Sequence, residues 1–130
     1  MDTAEWRTRI GLIIEKLRSL TRAEFFDEQN GLYNDVEQDL FALYNAFTFD
    51  MRWLKPFLEK KRTGRARWLP LDPNDLASMD VREVYWRLQE NHADDRFMDG
   101  ALIEPFENGS LVAALERISE GLDGLVPQRN

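Results

Sequence analysis

The densest folding instruction in this chain is a side chain able to cap a helix followed three positions later by glutamate. It occurs at Asp2 with Glu5, Thr21 with Glu24, Asn34 with Glu37 and Asp80 with Glu83. Such a pair can satisfy orphan backbone donors from both directions at a helix start. Each spacing therefore predicts a helix, and four helices placed this way leave little room for an extended sheet.

Apolar spacing supports the same division. Trp6, Ile10, Ile13, Ile14, Leu17 and Leu20 recur at three and four residues, which predicts a helix over about 3–20 with one continuous apolar stripe. A short helix over about 22–28 carries Phe25 and Phe26 and meets Asn30-Gly31, a left-handed stop. From Asp35, the residues Val36, Leu40, Leu43, Tyr44 and Phe47 share a side. Met51 to Leu58 is also read as helical, with Pro56 near its start or at a kink and Gly64 closing it, followed by a surface loop from Arg65 to Pro73.

Asp72-Pro73 reads as a cap and a first-turn proline leading a brief helix through Leu76. Val81, Val84, Tyr85 and Leu88 mark another helix, and Leu111, Val112, Leu115 and Ile118 mark the last, with Ser110 as its cap. Between these, residues 94–108 are expected to hold a short helix that buries Phe97, Ala101, Leu102 and Phe106. No stretch alternates apolar and polar residues over strand length. The expected fold is all-α, a single bundle of six or seven helices over residues 1–126 with a polar tail at 127–130.

Composition narrows the function classes. The 130 residues include no cysteine, which removes thiolate nucleophiles, disulfides and cysteine-ligated metals, and one histidine, His92, which removes HExxH and three-histidine sites within a chain. The seven glycines form neither a phosphate-cradling nor a GxSxG pattern. The N-terminus lacks the basic start and apolar run of a signal peptide, and no apolar run approaches the roughly 20 residues of a membrane span, so a soluble cytoplasmic protein is expected.

Charge is divided unevenly. Residues 52–67 carry seven basic side chains (Arg52, Lys55, Lys60, Lys61, Arg62, Arg65 and Arg67) against the single acid Glu59, a local +6 in a chain of net −7, so the remainder carries −13. A body that negative disfavours general DNA binding. Trp53, Phe57 and Trp68 interleave with those cations, the combination that grips an acidic partner or stacks on bases, although a solvated basic face with its aromatics turned inward explains the same pattern.

The most distinctive wording is His92-Ala93-Asp94-Asp95-Arg96-Phe97-Met98-Asp99-Gly100-Ala101-Leu102, followed by Phe106-Glu107-Asn108-Gly109-Ser110-Leu111. It resembles the bacterial and phage family known as domain of unknown function 6508, over about residues 51–122. The resemblance implies an all-α fold and a phage or mobile-element context, and it transfers no catalytic residue. From the residues themselves, Asp94 or Asp95 caps a helix, Arg96 pairs with a neighbouring carboxylate, and Gly100 permits a close backbone approach.

The segment admits three chemical readings. An EF-hand starting at Asp95, with Asp99 and Gly100 in register, fails because Phe97 and Phe106 occupy ligand positions. A looser metal site, with metal-dependent catalysis, would use Glu90, His92, Asp94, Asp95 and Asp99. Acids serving as caps, and a lone histidine facing the helix dipole or solvent, explain the cluster more simply. The leading expectation is thus a non-catalytic protein without cofactor or metal, a regulator or inhibitor that blocks the surface of a protein or ribonucleoprotein complex, as anti-CRISPR-type anti-defence proteins do. An antitoxin or immunity protein shares these traits, and a homodimer is compatible with them. The surfaces expected to make contact are the basic segment, with Trp53 and Trp68, and the turn bearing Asp94, Asp95, Arg96 and Asp99.

Overall fold

A computed structural model describes residues 2–50, 52, 55, 56, 59, 71–96 and 99–128. Seven α-helices lie among them: α1 (Thr3–Ser19), α2 (Arg22–Phe25), α3 (Val36–Ala46), α4 (Pro73–Leu76), α5 (Val81–Ala93), α6 (Ile103–Glu107) and α7 (Ser110–Glu120). The 3-10 turns η1 (Asp94–Arg96) and η2 (Leu122–Gly124) follow α5 and α7. The all-α expectation holds, with two additions. Strands β1 (Phe26–Asp27) and β2 (Leu32–Tyr33) pair antiparallel, Phe26 opposite Tyr33, and β3 (Phe47–Thr48) pairs antiparallel with β4 (Val126–Pro127), Phe47 opposite Pro127.

Both pairs follow from tertiary closure. The short helix expected over 22–28 stops at Phe25, and the chain reverses through a turn in which Asp27 Oδ1 accepts from the Gln29 amide at 3.0 Å and Gly31 takes φ +66°. Pro127, expected to begin a free tail, instead pairs with Phe47, and the Gln128 amide donates to the Ala46 carbonyl at 2.8 Å.

α7 is the centre of the packing. It lies against α1, α4, α5 and α6, and it contributes Leu111, Ala114, Leu115 and Ile118 to the core, each fully buried. The α1 stripe of Trp6, Ile10, Ile13, Ile14 and Leu17 is buried as its spacing requires. Burying a Leu or Ile side chain contributes about 1.5–3 kcal/mol, so these two stripes are a principal source of stability.

The caps behave unequally. Asp2 accepts from the Glu5 amide at 2.8 Å, and Thr21 and Glu24 form the full reciprocal box. Asp80 accepts from the Arg82 amide at 2.8 Å, but the Glu83 carboxylate turns to Arg87 at 2.6 Å. At α3 Asn34 Oδ1 accepts from the Val36 amide at 3.1 Å, and the Glu37 carboxylate leaves the helix start altogether. Ser110 lies inside α7 and is not its cap: Gly109, at φ +83°, precedes it, and Asn108 Oδ1 accepts the Ser110 amide at 2.9 Å.

The α3 terminus is tied to α5 by one phenol. Tyr85 Oη lies 2.8 Å from the carbonyl oxygens of Leu43 and Tyr44 and 3.1 Å from that of Phe47, so it supplies a donor where the helix has run out of its own. Burial pushes the Tyr85 phenol well above its ordinary pKa, which keeps that donor protonated. The result is a fixed angle between α3 and α5, the two helices that carry the candidate site.

Candidate functional site

Glu37 stands in the first turn of α3, and His92 in the last turn of α5. His92 is only 4% exposed, which overturns the solvent half of the expectation that it faces the helix dipole or solvent, while its place in the last turn keeps it at the helix end. Its Nε2 lies 2.7 Å from Glu37 Oε2, and its Nδ1 lies 3.0 Å from Tyr44 Oη. An ionised carboxylate can only accept, so Nε2 carries the proton toward Glu37, and in the neutral ring Nδ1 accepts from the Tyr44 hydroxyl. Phe41 stacks on the imidazole, with ring centroids 4.9 Å apart and planes 15° from parallel.

Asp95, on η1, completes the group from a third element. Its Oδ1 accepts from Tyr33 Oη at 2.9 Å and from the Ala101 amide at 2.9 Å. Tyr33 Oη in turn accepts from the Leu102 amide at 3.0 Å, so the hairpin closes the loop beyond η1. Asp95 Oδ2 points at His92 Nε2 from 3.8 Å, beyond hydrogen-bond reach, and makes no hydrogen bond among the described residues. Burial raises the pKa of Tyr33 and Tyr44, and the Glu37 charge adds to the rise at Tyr44, so both phenols stay neutral.

An open groove of about 470 Å³ lies over this group, lined by Phe41, Tyr44, Gln89, Glu90, His92, Ala93, Asp95 and Arg96. Phe41 is 43% exposed there although its other face is stacked on the histidine. Arg96 braces the turn through Nε, which donates to the Ala93 carbonyl at 3.0 Å.

The predicted residues are thus only partly gathered. Of the proposed metal set, His92 and Asp95 come together, joined by Glu37; Glu90 lines the groove, and among the described residues neither it nor Asp94 or Asp99 belongs to a group of three or more metal-ligating side chains. Asp94 is the half-buried residue that ends α5, and Asp99 sits beside Gly31. Asp95 closes a loop and does not cap a helix. Arg52 is exposed and forms a double contact with Asp50, the shorter at 2.9 Å, and Lys55 is exposed. Trp53, Lys60, Lys61, Arg62, Arg65, Arg67 and Trp68 lie outside the described residues, as do Phe57, Gly64 and Phe97.

Sequence reasoning missed Glu37, Tyr33, Phe41 and Tyr44. A signal was present for Glu37 alone, in a box whose glutamate had a second use. No family model, curated protein or solved structure matches the chain. Among the described residues no helix is long and apolar enough to cross a membrane.

Proposed function

We propose that this is a non-catalytic binding protein that occupies a partner's surface through the groove over His92. The observation that carries the reading is Phe41, 43% exposed at the groove wall yet held in place by the imidazole behind it. An aromatic ring fixed before contact loses little entropy on binding and is the kind of residue on which interface energy concentrates. Glu90 and Asp95 outnumber Arg96 in the groove, and with the −13 carried outside residues 52–67 they favour a partner with a basic, partly apolar surface. A small inhibitor of the anti-CRISPR type is one protein of this class.

The test is capture from the native host with wild-type protein, Phe41→Asp, and Leu12→Asp as a surface control, Leu12 being 60% exposed on α1. One stoichiometric protein or ribonucleoprotein complex is expected with wild type and Leu12→Asp, and at least about tenfold less with Phe41→Asp, as for an interface anchor. Undiminished capture by Phe41→Asp, or no partner for the wild type, overturns the reading.

A further inference from the structure

We propose that Glu37, His92 and Asp95 form a binding site for one divalent transition-metal ion of the zinc type. One ligand atom from each lies within 4.8 Å of the others, and the two measured from Nε2 are at 2.7 Å and 3.8 Å. Ligand atoms that each stand about 2.0–2.2 Å from one ion are separated by about 3–4 Å, so small torsions at the two carboxylates suffice to seat it. The side chains come from α3, α5 and η1, three elements with no local reason to bring their charges together.

Charge accounting favours a cation. Two carboxylates flank a single imidazole N–H, which is committed to Glu37, so among the described residues Asp95 Oδ2 faces the cluster without a donor. The side chains are only 4% (His92), 23% (Glu37) and 28% (Asp95) exposed, so water compensates the repulsion poorly. Two of the three ligands, Asp95 and His92, also have an outer partner of the sort that orients metal ligands. Tyr33 Oη and the Ala101 amide hold Oδ1 of Asp95, leaving Oδ2 turned inward, and Tyr44 Oη holds Nδ1 of His92. A metal ion on Nε2 requires the imidazole proton to stand on Nδ1, from which it is donated to Tyr44 Oη.

One nitrogen and two carboxylate oxygens suit zinc, manganese or iron better than calcium, and the groove leaves the remaining positions to water. This inference is independent of partner capture, because the metal is read with the purified chain alone.

Tag-free protein stripped with chelator is titrated calorimetrically with Zn²⁺, Mn²⁺, Mg²⁺ and Ca²⁺ as the only ligands, with Co²⁺ absorption spectra as a second readout. One Zn²⁺ per chain is expected, with a rise in Tm and a Co²⁺ spectrum of low symmetry. His92→Gln removes a ligand at some risk to the core, so Glu37→Gln and Asp95→Asn serve beside it, since each amide keeps an acceptor oxygen for the existing hydrogen bonds. Each is expected to weaken Zn²⁺ binding about 100-fold or more, and Tyr44→Phe by about tenfold through loss of the outer partner. The absence of Zn²⁺ binding, a preference for Mg²⁺ or Ca²⁺, or an isotherm unchanged in Glu37→Gln and Asp95→Asn overturns the proposal.

Discussion

Replacing Tyr85 by phenylalanine removes one oxygen from the core and tests whether the α3 terminus depends on it. The ring stays buried, so the hydrophobic contribution of the side chain is conserved. What disappears is the donor within 2.8–3.1 Å of the Leu43, Tyr44 and Phe47 carbonyls. A hydroxyl carries one hydrogen and satisfies one carbonyl at a time, so the loss corresponds to one buried hydrogen bond with its acceptor stranded, about 1–3 kcal/mol. Unfolding entropy near the midpoint is about 2.1 cal/mol/K per residue, or about 0.27 kcal/mol/K for 130 residues. The expected fall in Tm is therefore about 4–11 °C. Urea denaturation followed by far-UV circular dichroism should show a lower midpoint with an unchanged slope, because the surface exposed on unfolding is the same. A Tm within about 1 °C of wild type would show that water already satisfies those carbonyls, and the argument for a phenol fixing α3 against α5 would fail.

Two further outcomes follow from backbone geometry and charge. Gly100 has φ +79°, and a Cβ there would stand 2.5 Å from Ile103 Cδ1, whereas Gly109 has φ +83° and open space around it. Gly100→Ala should cost more than Gly109→Ala, which pays only the left-handed penalty of about 1–2 kcal/mol, and equal losses in a thermal melt would refute the close-packing argument. Glu24, Asp27, Asp50 and Asp80 all have lowered pKa values, caused first by hydrogen bonds from Thr21, Asn30, Arg52 and Arg82 respectively. A carboxylate whose folded pKa lies below its unfolded one contributes stability that is complete above the unfolded pKa and is lost as pH falls through the folded one. Tm should thus decline below about pH 4, gently because these groups are largely solvent-exposed, and a Tm that rises in that range would contradict the assignments.

Most of the helices were legible because their signals are local. The α1 stripe, the Thr21–Glu24 box and the Asp72-Pro73 start each depend on residues a few positions apart, and the structure realises all three. The strands were not legible, since two residues cannot show an alternation and Phe47 pairs with Pro127 from the far end of the described chain. The site was half legible for the same reason. His92 and Asp95 stand out in sequence, but their partner Glu37 is 55 residues from His92 and looks like an ordinary capping residue. A glutamate three positions after a cap has two destinations, its own helix start or a neighbour in space, and the local pattern is identical in both.

The pairing of α1 with α7 has a consequence for how the protein is made. Arg18 meets Glu116 across 98 residues, and Arg7 reaches the Ser119 carbonyl across 112. At a synthesis rate of about 5–20 residues per second, the α1 stripe waits on the order of 5–20 s for the helix that covers it. During that interval the α1 stripe has only α3 and Phe47 to pack on, Trp6 meeting the Phe47 ring at 5.9 Å, and its larger contact forms only when α7 has left the ribosome. Nascent chains stopped before α7 should therefore be the species that chaperones and proteases meet.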